Sequence, residues 1–235
     1  MCHAAPKSTL MTTALAAVLA AVLALPAQAL VLLADDFSSP PGSAWAGITA
    51  DLSTAGAPVV NSAVPLVYLP SGGNPGGALQ LADVDNFDSY FRWQAPLGST
   101  VLPLGASLQY DIHTDQSADY SPNPTVVLQG GGLTLVNLAG QPAVQGVWVT
   151  TSLLLAPGAT WHLGSQGGVL ASQADFQTVL GNLAALWISG ETHNGVSETS
   201  LLDNVLIMAV PEPGQWALLL GGLGLLGAAG RRRPR

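Results

Sequence analysis

Leu108-Gln109-Tyr110-Asp111-Ile112 alternates apolar and polar side chains, and Leu128-Gln129-Gly130-Gly131-Gly132-Leu133 runs from a leucine through three glycines to another leucine. A period of two puts Leu108, Tyr110 and Ile112 on one face of a strand and Gln109 and Asp111 on the other, as in a half-buried antiparallel strand. The second stretch reads as a strand, a glycine turn and a returning strand. Outward from these, short runs of Val, Leu, Thr and Tyr recur between Gly, Pro, Asn and Ser clusters. They predict strands near Leu66–Leu69, Ala78–Leu81, Ser89–Trp93, Ala106–His113, Thr125–Gln129, Leu133–Val136, Val147–Leu155, Leu186–Ser189 and Leu202–Met208. One segment argues for a helix. Ser172-Gln173-Ala174-Asp175 offers a cap with an acid at the third helical position, and Phe176, Val179, Leu180 and Leu183 follow at helical spacing. Many short strands with one short helix predict an all-β fold, a β-sandwich of jelly-roll type.

Both ends break this pattern. Lys7 gives a positive start, Leu10–Leu25 is an apolar run, and Ala27-Gln28-Ala29 supplies a small-x-small cleavage site. Residues 1–29 are therefore predicted to be a signal peptide with an apolar helix, removed by signal peptidase after Ala29. At the other end, Val210-Pro211-Glu212-Pro213 precedes the uncharged run Trp216–Gly230, and Arg231, Arg232, Arg233 and Arg235 follow. Residues 216–230 predict a membrane helix of about 22 Å, short of a hydrocarbon core of ~30 Å. Snorkelling arginines and local thinning close part of that gap. The arginines stay cytoplasmic by the positive-inside rule, which leaves the preceding domain outside.

The order Pro211-Glu212-Pro213, apolar helix, Arg231-Arg232-Arg233 in residues 209–235 resembles the PEP-CTERM sorting signal. The resemblance implies export and an intermediate anchored in the inner membrane by its C-terminal helix. An exosortase-type enzyme then cuts near Pro-Glu-Pro, delivering the protein to the cell surface or the extracellular space.

Between the ends, thirteen acids face Arg92 alone, a net charge of −12. Such a domain has no footprint for a phosphate backbone, so nucleic acid is excluded as a partner. Its acids keep it soluble or hold divalent cations. The single cysteine, Cys2, lies in the segment to be removed, so neither disulfides nor thiolate chemistry enter.

A second resemblance runs from Tyr90 to Met208. Tyr90-Phe91-Arg92-Trp93-Gln94-Ala95-Pro96, Leu104-Gly105-Ala106-Ser107-Leu108-Gln109-Tyr110, Val126-Val127-Leu128-Gln129-Gly130, Trp161, Asp175-Phe176 through Leu183, Ala185-Leu186-Trp187-Ile188 and Leu202-Asp203-Asn204-Val205 follow the order of motifs in the laminin B domain, also called laminin domain IV type A. This resemblance implies a laminin-B-like sandwich over 90–208. Residues 30–89 match poorly and are N-terminal strands of the same sandwich or a small extension.

No catalytic residue is predicted. His113, His162 and His193 lack metal-ligand spacing, and no nucleophile elbow or phosphate loop occurs; Gly164-Ser165-Gln166-Gly167-Gly168 reads as a turn. Asp83-Val84-Asp85-Asn86-Phe87-Asp88 lacks the glycine and closing glutamate of an EF-hand and reads as a solvated acidic turn. Likeness to jelly-roll carbohydrate-binding modules, which often pin their first and last strands together with calcium, points to Asp203 with Asp36 or Asp35 as ligands of a structural calcium. Trp45, Trp93, Trp148, Trp161 and Trp187 are expected in the core. The function expected is that of a non-enzymatic surface or matrix protein, structural or adhesive in the envelope or biofilm and in contact with extracellular polysaccharide. The alternative is a carbohydrate-binding module or a weak glycan-active enzyme.

Overall fold

The computed structural model describes residues 30–53, 58–85, 87–95, 100–119, 124–193 and 195–209, with Gly221. The predicted signal peptide with Ala27 and Ala29 lies outside the described residues. So does the tail with Pro211, Glu212, Pro213, Arg231, Arg232 and Arg233, and, Gly221 apart, the predicted 216–230 helix. Within Val31–Ala209, one compact unit, strands dominate and form two antiparallel sheets.

The chain enters through β1 (Leu30–Asp35), β2 (Trp45–Asp51), β3 (Val59–Val64), β4 (Val67–Gly73) and β5 (Gly76–Ala82). It continues through β6 (Asp88–Gln94), β7 (Ser107–Thr114), β8 (Val126–Gly130), β9 (Leu133–Asn137), β10 (Val149–Leu154) and β11 (Trp161–Leu163). Helix α1 (Gln173–Leu180), β12 (Leu183–Ser189) and β13 (Thr199–Ala209) complete it. One sheet has the order β10-β7-β13-β5-β4, with β1 also on β13; the other has the order β11-β9-β8-β12-β6-β2-β3. Residues 30–89 thus supply strands to both sheets.

The alternation read from the sequence sets the layers. Leu108, Tyr110 and Ile112 face inward, fully buried against Phe91, Leu128, Leu135, Leu186 and Ile188 of the opposing sheet. Each such side chain contributes about 1.5–3 kcal/mol of transfer free energy. Trp45, Trp93 and Trp161 join this core, as expected. Trp148 does not: it is half-buried, its ring tilted at 52° against His113 with centroids 5.5 Å apart. Helix α1 starts on the capping box, with Ser172 and Asp175 exchanging both hydrogen bonds, and buries Phe176, Val179 and Leu180. Its periodicity stops earlier than the sequence predicts. The chain turns at Gly181, and Leu183 opens β12 instead of extending the helix.

Trp187 occupies a different layer from the other core tryptophans. With Ile48, Ala50, Tyr90, Val127, Val136 and Ala185 it forms a second buried apolar cluster. Strand alternation puts these residues on the outer side of the seven-stranded sheet, where an antiparallel sheet normally shows polar groups. Leu52, just beyond β2, belongs to the same cluster, and its carbonyl accepts the amide of Gln166 at 2.9 Å. The turn after β11 is thereby held to the chain leaving β2.

Candidate functional site

Asp203 sits on β13 where the strand bulges between Asp203 and Leu206. The next residue, Asn204, has φ 50, a left-handed conformation that asparagine adopts more readily than most residues. Its amide donates to Asp203 Oδ1 at 2.7 Å. Its Nδ2 donates to Asp111 Oδ2 at 2.8 Å and to the Asn74 carbonyl at 2.6 Å. Asn74, at the tip of the β4–β5 hairpin, donates its amide to Asp203 Oδ2 and its Nδ2 to Asp111 Oδ2 at 3.2 Å. Thr150 of β10 donates to Asp111 Oδ1 at 2.6 Å. The tip approaches so closely that a Cβ on Gly73 would lie 2.6 Å from Asp203 Oδ2 and 2.0 Å from the Gly77 carbonyl, so glycine is required there. Asp203 is fully buried and Asp111 nearly so. Burial raises the Asp203 carboxyl above its ordinary range; the amides of Asn74 and Asn204 oppose this, and the charges of Asp111 and Asp36 add to it.

Asp36 is exposed, and the Ser38 amide bonded to it at 3.0 Å holds its carboxyl below the ordinary range. Asp35 is engaged by Trp45 Nε1 at 2.8 Å and by the Phe37 amide at 3.3 Å. Both border a cleft of about 330 Å³ with Gln109, Asn204 and Leu206. Asp36 and Asp203 therefore share an electrostatic environment. No group of three His, Cys, Asp or Glu suited to a metal occurs among the described residues. N–H donors occupy both oxygens of Asp203.

The acidic turn after β5 is less solvated than the sequence implies. Asp83 and Asp85 line a cleft of about 380 Å³ with Glu191 and Ser197. Asp85 accepts from Thr49 Oγ1 at 3.0 Å and from the Phe87 amide at 2.9 Å. Glu191 is buried and accepts the Ser89 amide at 3.1 Å; Glu198, also buried, takes both the amide and the hydroxyl of Thr192. Burial pushes Glu191 up to about 8, with the charges of Asp88, Asp83 and Glu198 adding to it. The histidines stay apart: His162 Nδ1 lies 2.7 Å from the Gly168 carbonyl, and His193 pairs with Asp119 at 3.1 Å.

A model of the laminin B (domain IV) family matches residues 92–218, more than half of the chain. The chain belongs to the laminin B family. A PEP-CTERM protein-sorting motif matches residues 209–233. Among solved structures, the L4b domain of human laminin alpha-2 is similar at 10% identity and TM-score 0.54, covering 79% of this chain and 99% of that one. A family 11 carbohydrate-binding module of a Clostridium thermocellum cellulosomal cellulase gives 15% identity and TM-score 0.46, over 77% and 94% of the two chains. An exo-beta-agarase gives 15% identity and TM-score 0.48, over 78% of this chain and 25% of that one. At such identities the likeness to the human domain is one of fold. No curated protein matches the sequence.

In this laminin B domain the sequence pointed to Asp203 but not to its partners. The alternation around Tyr110 does put Asp111 on the outer face; what it hides is the hairpin tip that buries it. Asn74-Pro75 and Asp203-Asn204 are turn-forming pairs, and that was the available signal.

Glu191 yields a pH dependence. Its folded value of about 8 exceeds its ordinary 4.5, so between these the folded domain holds a proton that the unfolded chain releases. The stability this proton confers is complete below 4.5 and is lost as pH rises through about 8. Denaturant titrations should show stability falling from about pH 6 to about pH 9 by on the order of 1–2 kcal/mol. Glu191→Gln should flatten most of that fall; an equally steep fall in the variant would assign the effect to other groups.

Proposed function

We propose that this protein is a non-enzymatic component of the cell envelope or biofilm matrix, structural or adhesive in role, delivered by exosortase-type sorting. The observation that carries the reading is adjacency in the chain. The closing strand β13 runs to Ala209, and the sorting motif spans residues 209–233. A laminin B domain is thereby joined directly to a signal that marks an exported protein sorted to the cell surface. The inner-membrane intermediate, held by residues 216–230, and removal of residues 1–29 belong to the same proposal. Extracellular polysaccharide is the partner such a setting offers. His162 and His193 are each engaged in local contacts and stand apart, which favours a domain that binds over one that catalyses.

Replacing Arg231, Arg232 and Arg233 by Asn should reduce retention at the inner membrane and slow processing, read by fractionation and intact mass. Unchanged processing and protease accessibility would remove the arginines as determinants.

Calcium between Asp36 and Asp203 is the metal component of the proposal, supported by the Asp36 charge felt at Asp203; the ion would compete with the amides that donate to both Asp203 oxygens. For the full chain in mild detergent, added calcium should raise the melting midpoint and chelator lower it. A hundredfold excess over Kd corresponds to ~2.7 kcal/mol. Asp203→Asn should lose the response. Equal midpoints with calcium and chelator would remove the metal.

A further inference from the structure

Arg92 is the single Lys or Arg among residues 30–209, and among the described residues no carboxylate lies within ion-pair distance of it. Its guanidinium lies over the Trp187 ring, 5.9 Å from the centroid. Arg92 Nε and Trp187 Nε1 are both buried N–H donors without an acceptor among the described residues. Buried donors in folded proteins are nearly always paired, and the Trp187 ring face that holds Arg92 supplies no carboxylate, so a charged partner for this base has to come from outside.

Register fixes what surrounds the pair. Trp187 stands opposite Arg92, and Ala185 stands opposite Gln94 on one side and Gln129 on the other. Residues two apart share a face, so the row Gln94–Ala185–Gln129 borders Arg92–Trp187 on the outer side of the seven-stranded sheet. Toward Leu52 that side is covered, and Tyr90 and Trp187 are almost fully buried. Toward Gln94 it opens: Gln94 is exposed, and Arg92 and Gln129 are half-buried.

We infer that this open end of the sheet face binds a polysaccharide bearing carboxylate groups, with Arg92 as the ligand of the carboxylate. The inference rests on the matrix role proposed above and gives it a site and a ligand class. A guanidinium fork is matched to a carboxylate, and Arg92, half-buried beside the exposed Gln94, lies at the open end. Gln94 and Gln129 flank the Ala185 methyl at about 10 Å, two interstrand spacings. That spacing sets two amides apart at a distance that suits the hydroxyls of one sugar ring, over the buried Ala185. The domain's own charge does not forbid an anion there. Asp88, the acid on the same strand face, is four residues from Arg92, about 13 Å, beyond a Debye length of ~8 Å at physiological salt.

The test is a titration of the full chain, purified in mild detergent, with polygalacturonate and with neutral dextran at about 0.15 M salt. Polygalacturonate should bind and dextran should not. Arg92→Gln should weaken binding at least about tenfold. Gln94→Ala, at an exposed position, should weaken it severalfold without moving the melting midpoint, so the test stands even where Arg92→Gln folds poorly. No binding of polygalacturonate, or binding that neither variant alters, would overturn the site. Equal binding of dextran would overturn the carboxylate assignment. The titration uses purified protein, so a failure of sorting in cells leaves it untouched, and a failed titration leaves the sorting role standing.

Discussion

Two carboxylates placed opposite each other on neighbouring strands govern this domain. Asp111 and Asp203 are register partners on β7 and β13, and like charges in that position repel. Both are buried, so water cannot screen them. The repulsion is offset by donors drawn from three places: the Asn74 tip of the β4–β5 hairpin, the Asn204 bulge and Thr150 of β10. Each donor brings its own segment to a fixed position. The hairpin must fold over the outer face, the bulge must turn Asn204 left-handed, and Gly73 must stay small. A buried polar group with its partners in place specifies geometry strongly, and one with a partner missing is costly.

The same economy recurs across the domain. With Arg92 as the single Lys or Arg, ion pairs cannot neutralise thirteen acids. Backbone amides do much of that work. Asp35, Asp36, Asp51, Asp83 and Asp85 each accept the amide two residues on, the aspartate turn that favours these residues in loops. Such turns need no long-range partner and are insensitive to salt, which suits a surface outside the cell. Where an acid is buried and crowded by others, as at Glu191, protonation replaces pairing, and the domain acquires its pH dependence.

The sequence disclosed most where one face was apolar and the other polar. The Leu108–Ile112 alternation, the glycine turn before Leu133 and the Ser172–Asp175 box all stand in the structure as read, because each is decided by neighbours in the chain. The strands β1, β2, β3 and β11 were not anticipated. β2 is rich in small residues, β11 spans three residues, and β1 and β3 expose much of their apolar surface. Trp187 was expected in the core and is buried, yet on the outer side of its sheet, where it packs with Leu52, Tyr90 and Val136 in the second apolar cluster. Asp203 was singled out for calcium; its hydrogen-bond partners were invisible, since Asn74 lies 129 residues away in the chain. Contacts over such separations leave no local pattern.

The account rests on the claim that the Asp111–Asp203 network makes residues 30–89 part of one cooperative domain. Hydrogen exchange followed by mass spectrometry on the full chain tests it most directly, comparing Val67–Ala82 with Ser107–Thr114 and Thr199–Ala209. The account predicts one shared opening free energy for the three segments. Asp203→Ala, which removes the charged acceptor of the Asn74 and Asn204 amides, should lower all three together by about 2–4 kcal/mol. Exchange of Val67–Ala82 through its own cheaper opening, unchanged by Asp203→Ala, would contradict the claim.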